Sequence, residues 1–450
     1  MRKRPSPYRT PAIILCVLAA VFLLSALVAI PAWFGSYIRS EEFRGMLADK
    51  TGGAFGSKAG FSPIRWEGSS AYSESATLEG LPASPLKSLD AREIRAEVNW
   101  RAAFSGAWRV EDLTIARLDG EWRKPAADAT SPAAGPAASP PGIPPVLAGF
   151  LPGRFELGSL TVASAGLRFA GAAIAGTTLT VKPDGRGWMF DGKGGRFTSP
   201  WTPDLSITDF RLREQGAEFF LTQGNLRLGT SGKIAVSGES AAGGKLLVSW
   251  DGVATSDVLK RDWTRRVQGT LSGNATLSAP DVCQGVAVLR DARLENSPLL
   301  ATVADFTKNP SFRRMPLQEV RGEFAWENGN WRVKNFSAES KGLLKVEGSA
   351  VIAKDGGLAG TFQIGVTAQT LQWLPGSRER VFTAARDGYL WTDLKLGGTI
   401  EKPTENLSER LMAAMGEQII ETGGEIIKNA PASAVDGVRG VLDILRPLVP

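Results

Sequence analysis

The feature that most limits what this chain can become is a two-residue rhythm of apolar side chains running, with interruptions, from Phe155 to Ile400. It is clear in Leu160/Val162, Leu167/Phe169, Leu179/Val181, Ile234/Val236 and Leu246/Val248/Trp250. Phe324/Trp326, Trp331/Val333, Leu344/Val346 and Phe362/Ile364/Val366 continue it, and Trp391/Leu394/Leu396 does so with a one-residue offset that a bulge would supply. Successive side chains of a strand point to opposite faces, so this period gives each strand one apolar and one polar side. GLLKVEGSAVI, residues 342 to 352, is representative: a strand, a glycine and the start of another strand, with no residue equipped for chemistry.

The turns fit the rhythm. FAWENGNWRV places Asn328-Gly329 between two alternating segments and asks for a type I′ hairpin. Asp184-Gly185, Asp191-Gly192, Asp251-Gly252 and Asp355-Gly356 read as similar signals, so an antiparallel meander is the expected topology. The 51 glycines are more than the usual share of about 7% would give, which suits many tight connections.

Composition removes most catalytic chemistry. With no histidine, the usual general base, zinc ligand and Ser-His or Cys-His nucleophile systems are missing. Of the two cysteines, Cys16 lies in an apolar N-terminal run, so Cys283 has no intramolecular partner and no disulfide framework or cysteine-based zinc site is expected. GTSGKI and the glycines of DGRGWMFDGKGG lack phosphate-loop or dinucleotide spacing and read as turns. Glu41-Glu42 and Glu111-Asp112 are sequence neighbours, poor candidates for a facing pair of catalytic carboxylates. The expectation is a protein that is not an enzyme and has no catalytic residue, cofactor or metal. Arg2, Lys3, Arg4 and Arg9 supply four of the six net positive charges, and the pairs Arg265-Arg266 and Arg313-Arg314 are isolated, so nucleic acid is not an expected partner.

The N-terminus sets an expected topology. Residues 1–11 form a basic leader, and Ala12 to Phe34 gives 23 uncharged residues where about 20 cross a bilayer. A signal peptide's apolar region runs only about 7 to 15 residues, so residues 12–34 read as an uncleaved, single-pass transmembrane anchor. Basic residues ahead of it keep the N-terminus cytoplasmic, and Trp33 and Tyr37 suit the far interface. The bulk of the chain is then exported.

Residues 36–123 read as a short helix, SEEFRGMLADKTGG with Ser40 as N-cap, followed by a first β segment. Residues 124–146 are a linker or loop; seven prolines and seven alanines among residues 125 to 145 cannot furnish a ladder. Residues 147–403 are the main β region, broken by a helical or irregular excursion in SPLLATVADFTKNPSFRRMPLQEV that ends near Pro310. Residues 404–450 read as amphipathic helices, opened by an Asn406/Glu409 capping box ahead of Leu407, Leu411, Met415 and Ile419.

About twenty strands at ~4.8 Å spacing would make a ribbon on the order of 100 Å long. Its apolar face needs a cover, and the pattern alone admits two: a closed sandwich, or a curled, trough-like sheet whose apolar inside holds lipid acyl chains. Trp188, Phe190, Trp250, Phe324, Trp326, Phe362, Ile364 and Trp391 are the lining candidates, ordinary core packing being the alternative for each.

The stretch from LENSPLLATVADFTKNPSFRRMPLQEV through GEFAWENGNWRVKNFSAESKGLLKVEGSAVI to LWTDLKLGGTIEKPTENLSERL resembles the C-terminal region of the AsmA-like family of bacterial envelope proteins. The closing element carries Gly397, Gly398, Thr399 and Pro403, and the anchor, the helix ending TGG and AREIRAEVNWRAAFSGAWRVEDLTIARLDGEW resemble the family's N-terminal part. The resemblance implies an anchor in the bacterial inner membrane, a periplasmic β-groove of the bridge-like lipid-transfer type, phospholipid as partner, and a role in lipid transport to the outer membrane or in its integrity. This chain is shorter than the largest members, which points to envelope partner proteins or a shorter range of action. A scaffold or assembly factor binding outer-membrane proteins through strand edges is the alternative function.

Overall fold

A computed structural model describes residues 35–99, 107–123, 154–185, 187–200, 202–216, 218–239, 244–259, 264–279, 282–295, 310–373, 376–399, 402–411 and 413–414. The chain is mostly β with few helices, and it divides into two compact units, Met1–Phe197 and Thr198–Pro450.

The first unit opens with α1 (Glu41–Phe55). Ser40 caps it, its Oγ accepting from the Phe43 N–H at 3.2 Å, while Glu41 and Glu42 sit in the first turn, where the exposed N–H groups favour negative charge. The helix runs through Gly52 and Gly53 instead of ending there. Gly52 meets the following strand so closely that a methyl group on it would lie 2.5 Å from the Ser57 carbonyl oxygen. Phe43 is buried and stacks on Trp108 at 5.4 Å between ring centres, and Trp66 Nε1 donates to the Ile38 carbonyl at 2.9 Å, fixing the helix to the strands.

Strands β1 (Ser57–Phe61) and β2 (Ile64–Glu67), separated by Ser62 and Pro63, both pair antiparallel with β3 (Ser70–Gly80), and β4 (Leu86–Asn99) and β5 (Ala107–Trp122) follow as a meander. Then the direction changes. β6 (Arg154–Leu157) and β7 (Leu160–Phe169) run parallel to β5, before β8 (Ala172–Asp184) and β9 (Gly187–Lys193) resume antiparallel pairing and β10 (Arg196–Thr198) closes the series. The sheet is therefore mixed, which corrects the expected all-antiparallel meander. Parallel neighbours need a connection of a dozen residues or more, and residues 124–153, which contain the proline- and alanine-rich stretch, supply it within one sheet; they lie outside the described residues.

In the second unit β11 (Leu205–Gln215), β12 (Glu218–Leu228), β13 (Gly232–Glu239), β14 (Leu246–Ala254), β15 (Val267–Ala279), β16 (Val282–Glu295), β17 (Arg314–Glu327), β18 (Asn330–Ser340), β19 (Leu344–Ile352) and β20 (Leu358–Val366) each pair antiparallel with the next. Short α2 (Thr255–Val258) and α3 (Ser377–Arg380) interrupt the succession. β21 (Ala384–Arg386) pairs with one end of β22 (Tyr389–Gly398), β23 (Pro403–Glu405) with the other, and β20 lies along β22's opposite side.

Asn328 and Gly329 take φ of 51° and 84° and join β17 to β18, the left-handed pair that a type I′ turn requires. Asp184-Gly185 and Asp355-Gly356 also sit in hairpin turns, but Asp251-Gly252 lies inside β14 at a bulge and Asp191-Gly192 inside β9. GLLKVEGSAVI holds one unbroken strand through Gly348, not two. The Asn406/Glu409 capping box does not form: Glu405 accepts from the Ser408 N–H at 3.0 Å, and Asn406 instead bonds β22.

Among the described residues no helix is long and apolar enough to cross a membrane; the anchor expected at 12–34 lies outside them, as do 296–309 of the expected excursion and 415–450 of the C-terminal helices.

Candidate functional site

Directly opposed residues of neighbouring strands share a face, so the register traces apolar rows across the second unit. One row runs Leu226, Ile234, Trp250, Gly273, Ala287, Gly322. The next runs Val236, Val248, Ala275, Gly285, Phe324, Val333, Ala350, Gly360, Leu396, and a third Leu277, Cys283, Trp326, Trp331, Ile352, Leu358. Phe362, paired with Gly348 and Leu394, and Ile364, paired with Val346, fall on the same face. Five of the eight expected lining residues, Trp250, Phe324, Trp326, Phe362 and Ile364, therefore meet on one side of one sheet. Trp188 and Phe190 lie on the apolar face of the first unit, opposite Pro183 and Val181.

Trp391 is the exception. The β20–β22 register is unbroken from Gly360↔Leu396 to Val366↔Leu390, so no bulge offsets it and Trp391 stands on the opposite, charged side, paired with Gly365. It is buried there by other means. The Arg386 guanidinium lies 4.3 Å from its ring centre, the Lys345 Nζ 5.8 Å, and its Nε1 donates to the Arg386 carbonyl at 3.0 Å. Glu347 bridges the two cations at 2.9 Å and 2.6 Å. The hydrogen bond from Lys345 holds the Glu347 carboxyl below the ordinary glutamate range, and the same bond raises Lys345. Tyr389 donates to Glu339 at 3.1 Å, and burial raises its hydroxyl.

Several aromatics on the apolar face sit close against a glycine directly across the ladder. A methyl at Gly273 would come within 2.6 Å of the Trp250 ring, one at Gly285 within 2.8 Å of Phe324, and one at Gly348 within 2.5 Å of Phe362. Large rings thus alternate with glycines across the ladder, tilted 35° to 44° to their ring neighbours. Ring centres of Trp250 and Phe324 are 6.5 Å apart, of Phe324 and Trp331 6.1 Å, and of Trp326 and Trp331 6.3 Å. Trp331, absent from the expected lining set, belongs to this row; its position opposite Trp326 across the Asn-Gly turn was the available signal.

The face differs along its length. Over β19, β20 and β22 it is a dry core: Ile352, Leu358, Phe362, Leu394 and Leu396 are buried beneath Leu371, Val381, Phe382, Leu407 and Ala414. Phe362 is thus covered by the chain itself. Along β12 to β17, Leu226, Ile234, Trp250, Phe324 and Trp326 are only half-buried. Hollows of about 420 Å³ and about 430 Å³ lie against β11 to β15, lined mostly from the polar side, by Ser237, Leu247 and Thr276 in the first and Arg227, Lys233 and Asp251 in the second, with Val236, Val248, Ile234 and Trp250 touching them from the apolar rows. Cys283 sits half-buried on this stretch, its thiol pushed up by burial.

Among the described residues no group of three or more histidine, cysteine, aspartate or glutamate side chains could hold a metal ion. No family model matches the chain, and no curated protein or solved structure shows significant similarity to it.

Proposed function

We propose that this is a protein of the AsmA-like kind, anchored in the bacterial inner membrane by residues 12–34, whose periplasmic sheet carries phospholipid acyl chains along an apolar groove. In this reading it serves lipid transport to the outer membrane, or that membrane's integrity, without enzymatic chemistry. The observation that carries the reading is the set of unbroken apolar rows of the second unit, with a half-buried stretch over β12 to β17. Ala235 and Leu247 on the other side are exposed, Leu247 by 51%, while Ile234, Val236 and Val248 are not, so the apolar side is the better covered of the two.

Moving hydrocarbon through water costs about 0.8 kcal/mol per exposed CH₂. A continuous apolar surface removes that barrier by contact alone. The scaffold alternative draws less support, because the strands flanking β3 and β22 are short and interrupted, which is how sheets blunt edges against added strands.

The test places a photo-crosslinking amino acid at Phe324 or Trp326 in cells, with Leu247 as the control on the other side. Lipid adducts at the first two and none at the third are expected. Adducts to outer-membrane proteins in their place would favour the scaffold, and the absence of any lipid adduct would sink the groove.

A further inference from the structure

Two rows on the polar side of the second unit differ from what surrounds them. Asn225, Ala235, Ser249 and Asn274 stand directly opposite one another across β12 to β15, and Ser237, Leu247 and Thr276 form the next row. Ala235, Ser237 and Ser249 are short, while the amides of Gln223 and Asn225 on one flank and Asn274 on the other are longer, and between them lies the hollow of about 420 Å³. None of the residues lining it is charged, although the first row continues on β17 and β18 with Glu323 and Lys334. Its hydrogen-bonding capacity is largely unused. Gln223 Nε2 and Asn225 Nδ2 both donate to Asp209 Oδ1, at 3.0 Å and 2.9 Å, which fixes the two amides and leaves their carbonyl oxygens free to accept. The side chains of Ser237, Ser249, Asn274 and Thr276 make no hydrogen bond to any described residue. The backbones of β13 and β14 are paired on both sides, so a ligand here meets side chains and cannot add as a strand.

We propose that this hollow binds an uncharged oligosaccharide. Every sugar hydroxyl both donates and accepts, which suits a surface of hydroxyls and amides with no ion among them, and Leu247, 51% exposed in the same hollow, offers methyl groups to the C–H face of a ring. A charged ligand would find no counter-charge among the lining residues. The site lies on the face opposite the apolar rows, so it does not rest on the lipid reading.

The test is saturation-transfer NMR on the full chain, in a detergent without a sugar headgroup, with maltotriose and chitotriose as probes. Transfer to at least one of the two sugars is expected. The Asn274→Ala/Thr276→Val variant, which removes two hydrogen-bonding groups, should bind that sugar about tenfold more weakly. Ser249→Glu, at an exposed position in the middle of the hollow, should abolish binding, and Lys334→Gln, three strands along the same row, should leave it unchanged. Transfer to neither sugar overturns the proposal, as does wild-type binding by the Ser249→Glu variant or loss of binding by Lys334→Gln with a native far-UV circular dichroism spectrum. Should the double variant or Ser249→Glu lose that spectrum, the other decides: the expected loss of binding supports the site, and unchanged affinity refutes it.

Discussion

The Phe362 ring rests on Gly348, its partner across the β19–β20 ladder, so closely that a side chain at position 348 would have to displace it. The same relation joins Trp250 to Gly273 and Phe324 to Gly285, and on the other side of the sheet Trp391 to Gly365. Glycine weakens a strand by itself, but a ring placed against it recovers apolar contact.

Gly273→Val is therefore expected to destabilise the second unit by about 1–3 kcal/mol or more, because a Cβ there would lie 2.2 Å from the Val286 carbonyl oxygen and 2.6 Å from the Trp250 indole. Equilibrium urea unfolding checks this. A midpoint equal to wild type would mean that the ring does not depend on the glycine.

A charge at Phe324 should leave the fold intact while one at Phe362 should not. Phe324 is half-buried, whereas Phe362 is 9% exposed in a cluster with Leu371, Val381, Phe382, Leu407 and Ala414. Phe362→Asp is expected to cost at least about 3 kcal/mol and to lower the yield of folded protein. Phe324→Asp should melt near wild type yet lose bound phospholipid, measured by mass spectrometry of the purified chain. Full lipid loading of a folded Phe324→Asp protein would falsify the groove.

Cys283 offers a probe of occupancy, since it is half-buried in the row between Leu277 and Trp326. In a Cys16→Ser background, maleimide labelling should be slow in the lipid-loaded protein and several-fold faster after delipidation. Equal rates in both states would place the lipid elsewhere.

The Lys345–Glu347–Arg386 cluster predicts a pH dependence with a definite sign. Glu347 has a lowered pKa in the fold, so its contribution is complete above the ordinary glutamate range and is lost as pH falls through the lowered value. Lys345 is raised, so its contribution is complete below the ordinary lysine range and is lost as pH rises through the higher value. Glu347→Gln should flatten the acid limb of a thermal-stability profile; an unchanged limb would assign acid sensitivity to other carboxylates.

The strands and the Asn328-Gly329 hairpin were legible because alternation and left-handed turn chemistry are local. The parallel pairing of β5 with β7 was not, because a period of two carries no information about the direction of a neighbour. Asp251-Gly252 looks like a turn in sequence but is a bulge, since a left-handed glycine serves either purpose. The side taken by Trp391 is not legible from a bulge ahead of Leu394, because Leu390, Thr392, Leu394 and Leu396 alternate without one. The cover over Phe362 comes from Leu371, Val381, Phe382, Leu407 and Ala414, a tertiary contact with no trace in local pattern.

The parallel seam between β5 and β7 also orders events as the chain folds. β1 to β5 and β7 to β9 each pair mostly with neighbours close in sequence, but joining the two blocks brings together strands more than thirty residues apart along the chain, a slower and less local step. The seam thus makes the two blocks of the first unit depend on each other through a pairing that neither can complete alone.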